Sequence, residues 1–144
     1  MFQFDKYLGT WYEQYTISQW FDIQGSSDVR AEYELNENGT ISVTNTSVVN
    51  GKELSARGTA TIKGPGELSV SFPRYKQTNE TNYIVLCIME HNEKYEISVV
   101  TDHEKTTLFV LTREKKISVK TELCILKVLE KNFDLSKVVR VMQN

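Results

Sequence analysis

Apolar and polar side chains alternate residue by residue over most of the chain, the two-residue period of a strand that buries one face. Residues 10–18 form the first such run, and 28–35 the second, with Val29, Ala31, Tyr33 and Leu35 sharing a side. Three more follow at 40–49, 53–63 and 68–72. Their apolar sides carry Ile41 and Val43, then Ala56, Gly58, Ala60 and Ile62, then Leu68, Val70 and Phe72. Asn38-Gly39, Asn50-Gly51 and Gly64-Pro65-Gly66 separate these runs with residues that tolerate the positive φ of tight hairpins. After a polar loop at 74–81, residues 82–90 are apolar on both faces, which predicts a strand covered on its outer side as well. Runs at 95–101 and 106–113 bring the number of predicted strands to eight.

At Ser118 the period lengthens to that of a helix. Ser118 is the predicted N-cap and Glu122 an acid suited to the helix dipole. Val119, Leu123 and Leu126 make an apolar line that Ile125, Val128 and Leu129 widen, and the helix is predicted to end near Asn132. A short last strand is predicted at Val138–Met142. Eight antiparallel strands joined by short turns predict an all-β fold: a closed up-and-down barrel with one C-terminal α-helix outside and a short final strand. Two packed sheets are the alternative. Closure leaves no exposed sheet edge, and an eight-stranded barrel has room inside for one small ligand. The helix must cover its stripe against the outer wall, where the sixth strand, Leu108 and Val110 are the expected partners.

Composition narrows the function classes. The 144 residues are 40% hydrophobic, enough for one core, and residues 1–144 read as one domain. Net charge is −2, from 17 basic and 19 acidic residues without a basic block, which argues against nucleic acid as a partner. No apolar run is long enough to span a membrane as a helix. The chain reaches its first strand within about ten residues of Met1, too soon for a signal segment. Either the protein is cytosolic, or a secreted, periplasmic or membrane-associated protein has lost its leader. Three sequons, at Asn38, Asn45 and Asn79, point to the secretory route. Cys87 and Cys124 are read as free apolar thiols or as a single bridge.

Two spaced motifs carry more. Leu8-Gly9-Thr10-Trp11-Tyr12-Glu13 opens the first strand, with Phe4 and Tyr7 upstream, and Leu108-Phe-Val-Leu-Thr-Arg113 closes the eighth. Together they resemble the first and third motifs of the lipocalin family. The family's second motif is missing: Met89-Glu90-His91 stands at its place, and the similar Thr101-Asp102-His103 falls one hairpin later. Phe133-Asp134-Leu-Ser136-Lys137 before a Val-rich strand, with Tyr33 and Glu37-Asn38-Gly39, is similar to the apolipoprotein D and bacterial outer-membrane branch. The resemblance implies a cup-shaped carrier of fatty acids, lysophospholipids or similar lipids, with no cofactor and no catalytic residue. It also implies that Arg113 lies across the Trp11 ring, so that Gly9, Trp11 and Arg113 form a structural closed end.

Alternation phased from an inward Trp11 puts Phe109 and Leu111 inside. The most apolar, least bulky phase elsewhere adds Ala31, Tyr33, Ile41, Val43, Ala56, Gly58, Ala60, Leu68, Val70, Phe72, Ile84 and Leu86. Asn45 turns inward in the same phase. The small residues at 31, 56, 58 and 60 are expected to leave volume for a ligand, and Tyr33 to offer it a hydrogen bond. Trp20 and Phe21 in the first loop are expected to gate the mouth or touch a lipid surface. A monomer or weak dimer is expected. The rival readings are a haem or bilin carrier using His103 or His91, an enzyme using Cys87 as nucleophile, and a secreted modulator acting through its loops.

Overall fold

The computed structural model describes residues 1–17, 26–73 and 79–144. The strands are β1 (Gly9–Ile17), β2 (Ser27–Leu35), β3 (Ile41–Val49), β4 (Lys52–Gly64), β5 (Glu67–Ser71), β6 (Tyr83–His91), β7 (Lys94–Thr101) and β8 (Phe109–Thr112). They are followed by the helix α1 (Val119–Asn132) and a last strand β9 (Val138–Arg140). Each strand pairs antiparallel with the next, β8 returns to β1, and β1 also pairs with β2, so eight strands close into a barrel. The turns at 36–40, 64–67 and 91–94 lie at its closed end, and 50–51 and 102–108 at its mouth.

β8 starts later than the alternation predicts because Asp102 takes its first residues into a loop. The Asp102 carboxylate accepts hydrogen bonds from the backbone N–H groups of Glu104, Thr106 and Thr107 and from both threonine hydroxyls. The helix is capped as expected, with Thr121 N–H donating to Ser118 Oγ at 3.1 Å. It presses Ile125 and Leu129, both fully buried, onto Tyr15, Val99, Leu108 and Val110 of the outer wall. The sequence line through Val119 and Leu123 is not the buried one. Those residues are 71% and 56% exposed, since the helix is rolled so that Glu122 meets Tyr15 and Arg140.

The join between β1 and β2 is split. The two strands pair only from Gly9↔Tyr33 to Tyr12↔Arg30, after which Gln14 forms a bulge and β1 turns to β9. The C-terminal residues fill the gap. Val141 N–H donates to Gln14 O and Asp28 N–H to Met142 O, each at 2.8 Å. The buried Gln143 amide donates to Glu13 O at 2.7 Å and Val29 O at 2.9 Å, bridging the two walls. Asn144 then grips the Asp28 carboxylate through its backbone N–H at 2.7 Å and its side-chain amide at 2.9 Å.

Those bonds hold the Asp28 pKa down from 3.8 to about 2, with the Asn144 side chain the largest cause. A depressed carboxylate pKa stabilises the fold above the unfolded value and ceases to do so as pH falls through the folded one. We therefore expect the tail to loosen between pH 3.8 and about 2. Amide exchange at residues 141–144 should speed up there in wild type, and should already be fast at neutral pH in Asp28→Asn.

Candidate functional site

The closed end is built around one stacked pair. Gly9 enters β1 at φ +103, a conformation suited to glycine, and carries the chain over Arg113. The Arg113 guanidinium lies 3.8 Å from the Trp11 ring centroid. It donates to the carbonyls of Lys6, Leu8, Thr10 and Tyr95 at 2.8–3.2 Å. Trp11 Nε1 donates to Tyr7 O at 2.7 Å. Gly9, Trp11 and Arg113 thus stand where the motif reading puts them, as a plug. A surface cleft of about 370 Å³ beside it is lined by Lys6, Glu93, Lys94, Tyr95, Glu96, Arg113 and Glu114. Its charged lining is unsuited to an apolar molecule.

Above the plug the interior is filled. The Tyr7 hydroxyl shares hydrogen bonds with Tyr83 and with Ser98, both at 2.7 Å, and Tyr83 shares one with Tyr33 at 2.9 Å. These tyrosines are buried among Trp11, Ala31, Ile41, Val43, Ala60, Leu68, Val100 and Leu111. Tyr33 points inward as expected, but its hydroxyl belongs to this chain rather than to a ligand. Tyr7 and Tyr83 were not legible as partners. One precedes the first strand, and the other opens a strand whose alternation is broken.

That break corrects the sixth strand. Register pairs Tyr83 with Leu68 and Val85 with Val100, which puts Tyr83 and Val85 on the inner face. A bulge between Val85 and Cys87 then restores Ile88 to the inner face opposite Ser98. Ile84 falls on the outer phase and Leu86 at the bulge, so neither belongs to the lining. One extra residue inverts the phase of a strand, and a strand apolar on both faces gives no sign of it. Cys87 faces α1 as expected, and burial pushes its thiol pKa up, the opposite of an activated nucleophile.

The small residues also need correcting. Ala31 and Ala60 are buried in the same cluster as the tyrosines. A Cβ on Gly58 would lie 2.5 Å from Ser71 O and 2.7 Å from the Phe72 ring, so the glycine is needed for strand and ring to approach each other. Burial along the inner wall falls off nearer the mouth. Val70, Phe72 and Phe109 are half-buried there, and Ala56, paired with Asn45, is exposed. Asn45 is exposed too, so solvent reaches the inner face at that level. Glu13 is an acidic side chain on this wall: it pairs with inward Leu111 and its charge acts on Tyr33. Trp20 and Phe21 lie outside the described residues. His91 is exposed at the end of β6 and His103 on a turn, and no group of His, Cys, Asp and Glu suited to a metal ion occurs among the described residues.

The family profile described as the lipocalin-like domain matches residues 2–143. The chain belongs to the lipocalin family. It is 28% identical over 151 residues to temperature-induced lipocalin-1 of Arabidopsis thaliana, covering 97% of this chain and 78% of that one. It is 30% identical over 146 residues to a protein of Acanthamoeba polyphaga mimivirus named as a lipocalin, covering 94% and 81%. Among solved structures it superposes on the cockroach major allergen Per a 4 with a TM-score of 0.71 at 21% identity, covering 99% and 88%. Lobster apocrustacyanin A1 matches with a TM-score of 0.63 at 19% identity, covering 97% and 79%. The lipocalin fold supports the binding of small hydrophobic molecules.

Two outcomes follow from the filled floor. Burial pushes Tyr7 up to about 12 and raises Tyr33 and Tyr83 as well. The folded state then keeps three protons that the unfolded chain releases above pH 10, so stability falls there by about 4 kcal/mol per pH unit. In an ultraviolet titration, three of the seven tyrosines should ionise only as the protein unfolds. Gly58→Ala should cost about 1–3 kcal/mol in chemical denaturation, because the β5 backbone at Ser71 O and the Phe72 ring must both give way.

Proposed function

We propose that this lipocalin carries a single-chain lipid, a fatty acid or a lysophospholipid, in the mouth-side half of its barrel. The observation that supports this reading is the contrast within one inner wall. Leu68, Ile41 and Leu111 are buried, while Val70 and Phe109 stay half-buried and Ala56 exposed on the same face. Apolar side chains left uncovered inside a barrel are a binding surface for an apolar chain. Each methylene placed there contributes about 0.8 kcal/mol. Immobilising the ligand offsets several kcal/mol of the sum, which leaves binding near the micromolar range. The filled floor limits how deep an acyl tail descends, so affinity should rise with chain length and then level off. Binding is non-covalent: the barrel interior presents hydroxyls already bonded to one another and no activated nucleophile among the described residues.

Native mass spectrometry of the purified protein should show an extracted lipid, and a fluorescent fatty acid should be displaced by unlabelled fatty acids or lysolipids. Ala56→Trp fills the exposed inner wall without entering the buried floor. It should lower uptake by at least about tenfold, equivalent to about 1.4 kcal/mol, and leave the melting temperature nearly unchanged. An empty protein that takes up neither probe nor lipid would sink the proposal.

A further inference from the structure

The residues that the helical period places on a buried stripe, Val119 and Leu123, stand in solvent instead, and the side chains around them share a chemistry. On α1 the exposed positions are 119, 120, 123, 124, 127, 130 and 131, which the helical pitch gathers on one face. That face presents Val119, Leu123 and Cys124 with Lys120, Lys127 and Lys131. The three lysines have no ion-pair partner among the described residues. Glu122 is turned to the wall, where Arg140 donates to it at 2.8 Å and Tyr15 at 3.0 Å, leaving Glu130 as the acid of the outer face. The asymmetry extends beyond the helix. Residues 113–140 carry eight Lys and Arg against four Asp and Glu, while the rest of the chain carries nine against fifteen.

We propose that the outer face of α1 docks on an anionic lipid bilayer. A convex helix face with exposed Leu and Val beside lysines matches an interfacial helix: the apolar side chains enter the headgroup boundary and the ammonium groups reach lipid phosphates and carboxylates. The lysine stems can lie along the apolar surface while their heads extend outward. No described helix is long and apolar enough to cross a membrane, so α1 lies on the surface. Its C-terminal end is tied to the mouth, where Lys105 donates to Asn132 at 3.2 Å. The helix therefore reaches the bilayer beside the barrel opening. The inference rests on exposure and charge and is independent of what the barrel carries.

Flotation with vesicles tests it. The protein should bind phosphatidylcholine vesicles containing phosphatidylserine, bind pure phosphatidylcholine far less, and detach as salt is raised. Lys120→Gln, Lys127→Gln and Lys131→Gln together should weaken partition about a hundredfold, close to fivefold per lysine. Leu123→Ser should weaken it separately, and all four sites are exposed, so melting temperature reports intact folding. Four results would overturn the proposal. These are no binding to the anionic vesicles at low salt, binding unchanged in the triple lysine variant, partition indifferent to phosphatidylserine, and a wild-type dimer that Leu123→Lys converts to monomer. The last would assign the face to a second copy of the chain.

Discussion

The structure depends on a single cation held under a ring. Arg113 directly follows β8, and its guanidinium collects four carbonyls from the segment before β1, from β1 itself and from β7 while it lies against Trp11. Such a stack stabilises by roughly 0.5–2 kcal/mol, but its geometric effect is larger than its energy. It fixes where the chain crosses beneath the barrel, and therefore where Tyr7 enters. Phe2, with Tyr7 at 5.4 Å and Phe4 at 4.8 Å between ring centroids, follows the same segment and completes the floor. With the segment displaced, the Tyr7 hydroxyl would leave both Tyr83 and Ser98 with a missing partner in a buried place. Each such loss costs about 1–3 kcal/mol.

The stack also fixes where the most deeply buried part of the barrel interior lies. Three tyrosines need volume, which Ala31 and Ala60 provide by carrying almost nothing inward. Small residues in a barrel wall are thus ambiguous: they make room, and what occupies the room depends on the nearest aromatic ring. At Gly58 the occupant is Phe72, at Ala60 the tyrosine cluster, and at Ala56 it is solvent.

The parts legible in the sequence are those governed by local rules. Hairpin glycines, the two-residue period, the Ser118 cap and the Trp11–Arg113 spacing each depend on a few neighbouring residues or on one recognisable motif. The parts that were not legible are set by long-range register. The β6 bulge reverses Ile84 and Leu86 because Val85 and Cys87 follow different partners on β7. The helix shows the wrong apolar line because Glu122 is drawn to Tyr15 and Arg140, residues 107 and 18 positions away. The role of Gln143 was invisible for the same reason. A terminal polar residue looks dispensable until the split between β1 and β2 requires an amide to span it.

Two buried clusters stabilise the barrel. The floor is one. The other is the outer cluster in which Ile125 and Leu129 close over Tyr15, Val99, Leu108 and Val110. Tyr15 reaches that cluster only because the Gln14 bulge turns it outward, and the same bulge turns β1 away from β2 and opens the split that the tail fills. Gln14 is then fastened on both sides, its amide donating to Thr112 and Lys115 and its carbonyl accepting from Arg140. Helix, bulge and tail are therefore one device. The side chain that gives the helix a surface to pack on is exposed by the same irregularity that makes the C-terminal residues necessary, so the outer core cannot form without the seam being filled.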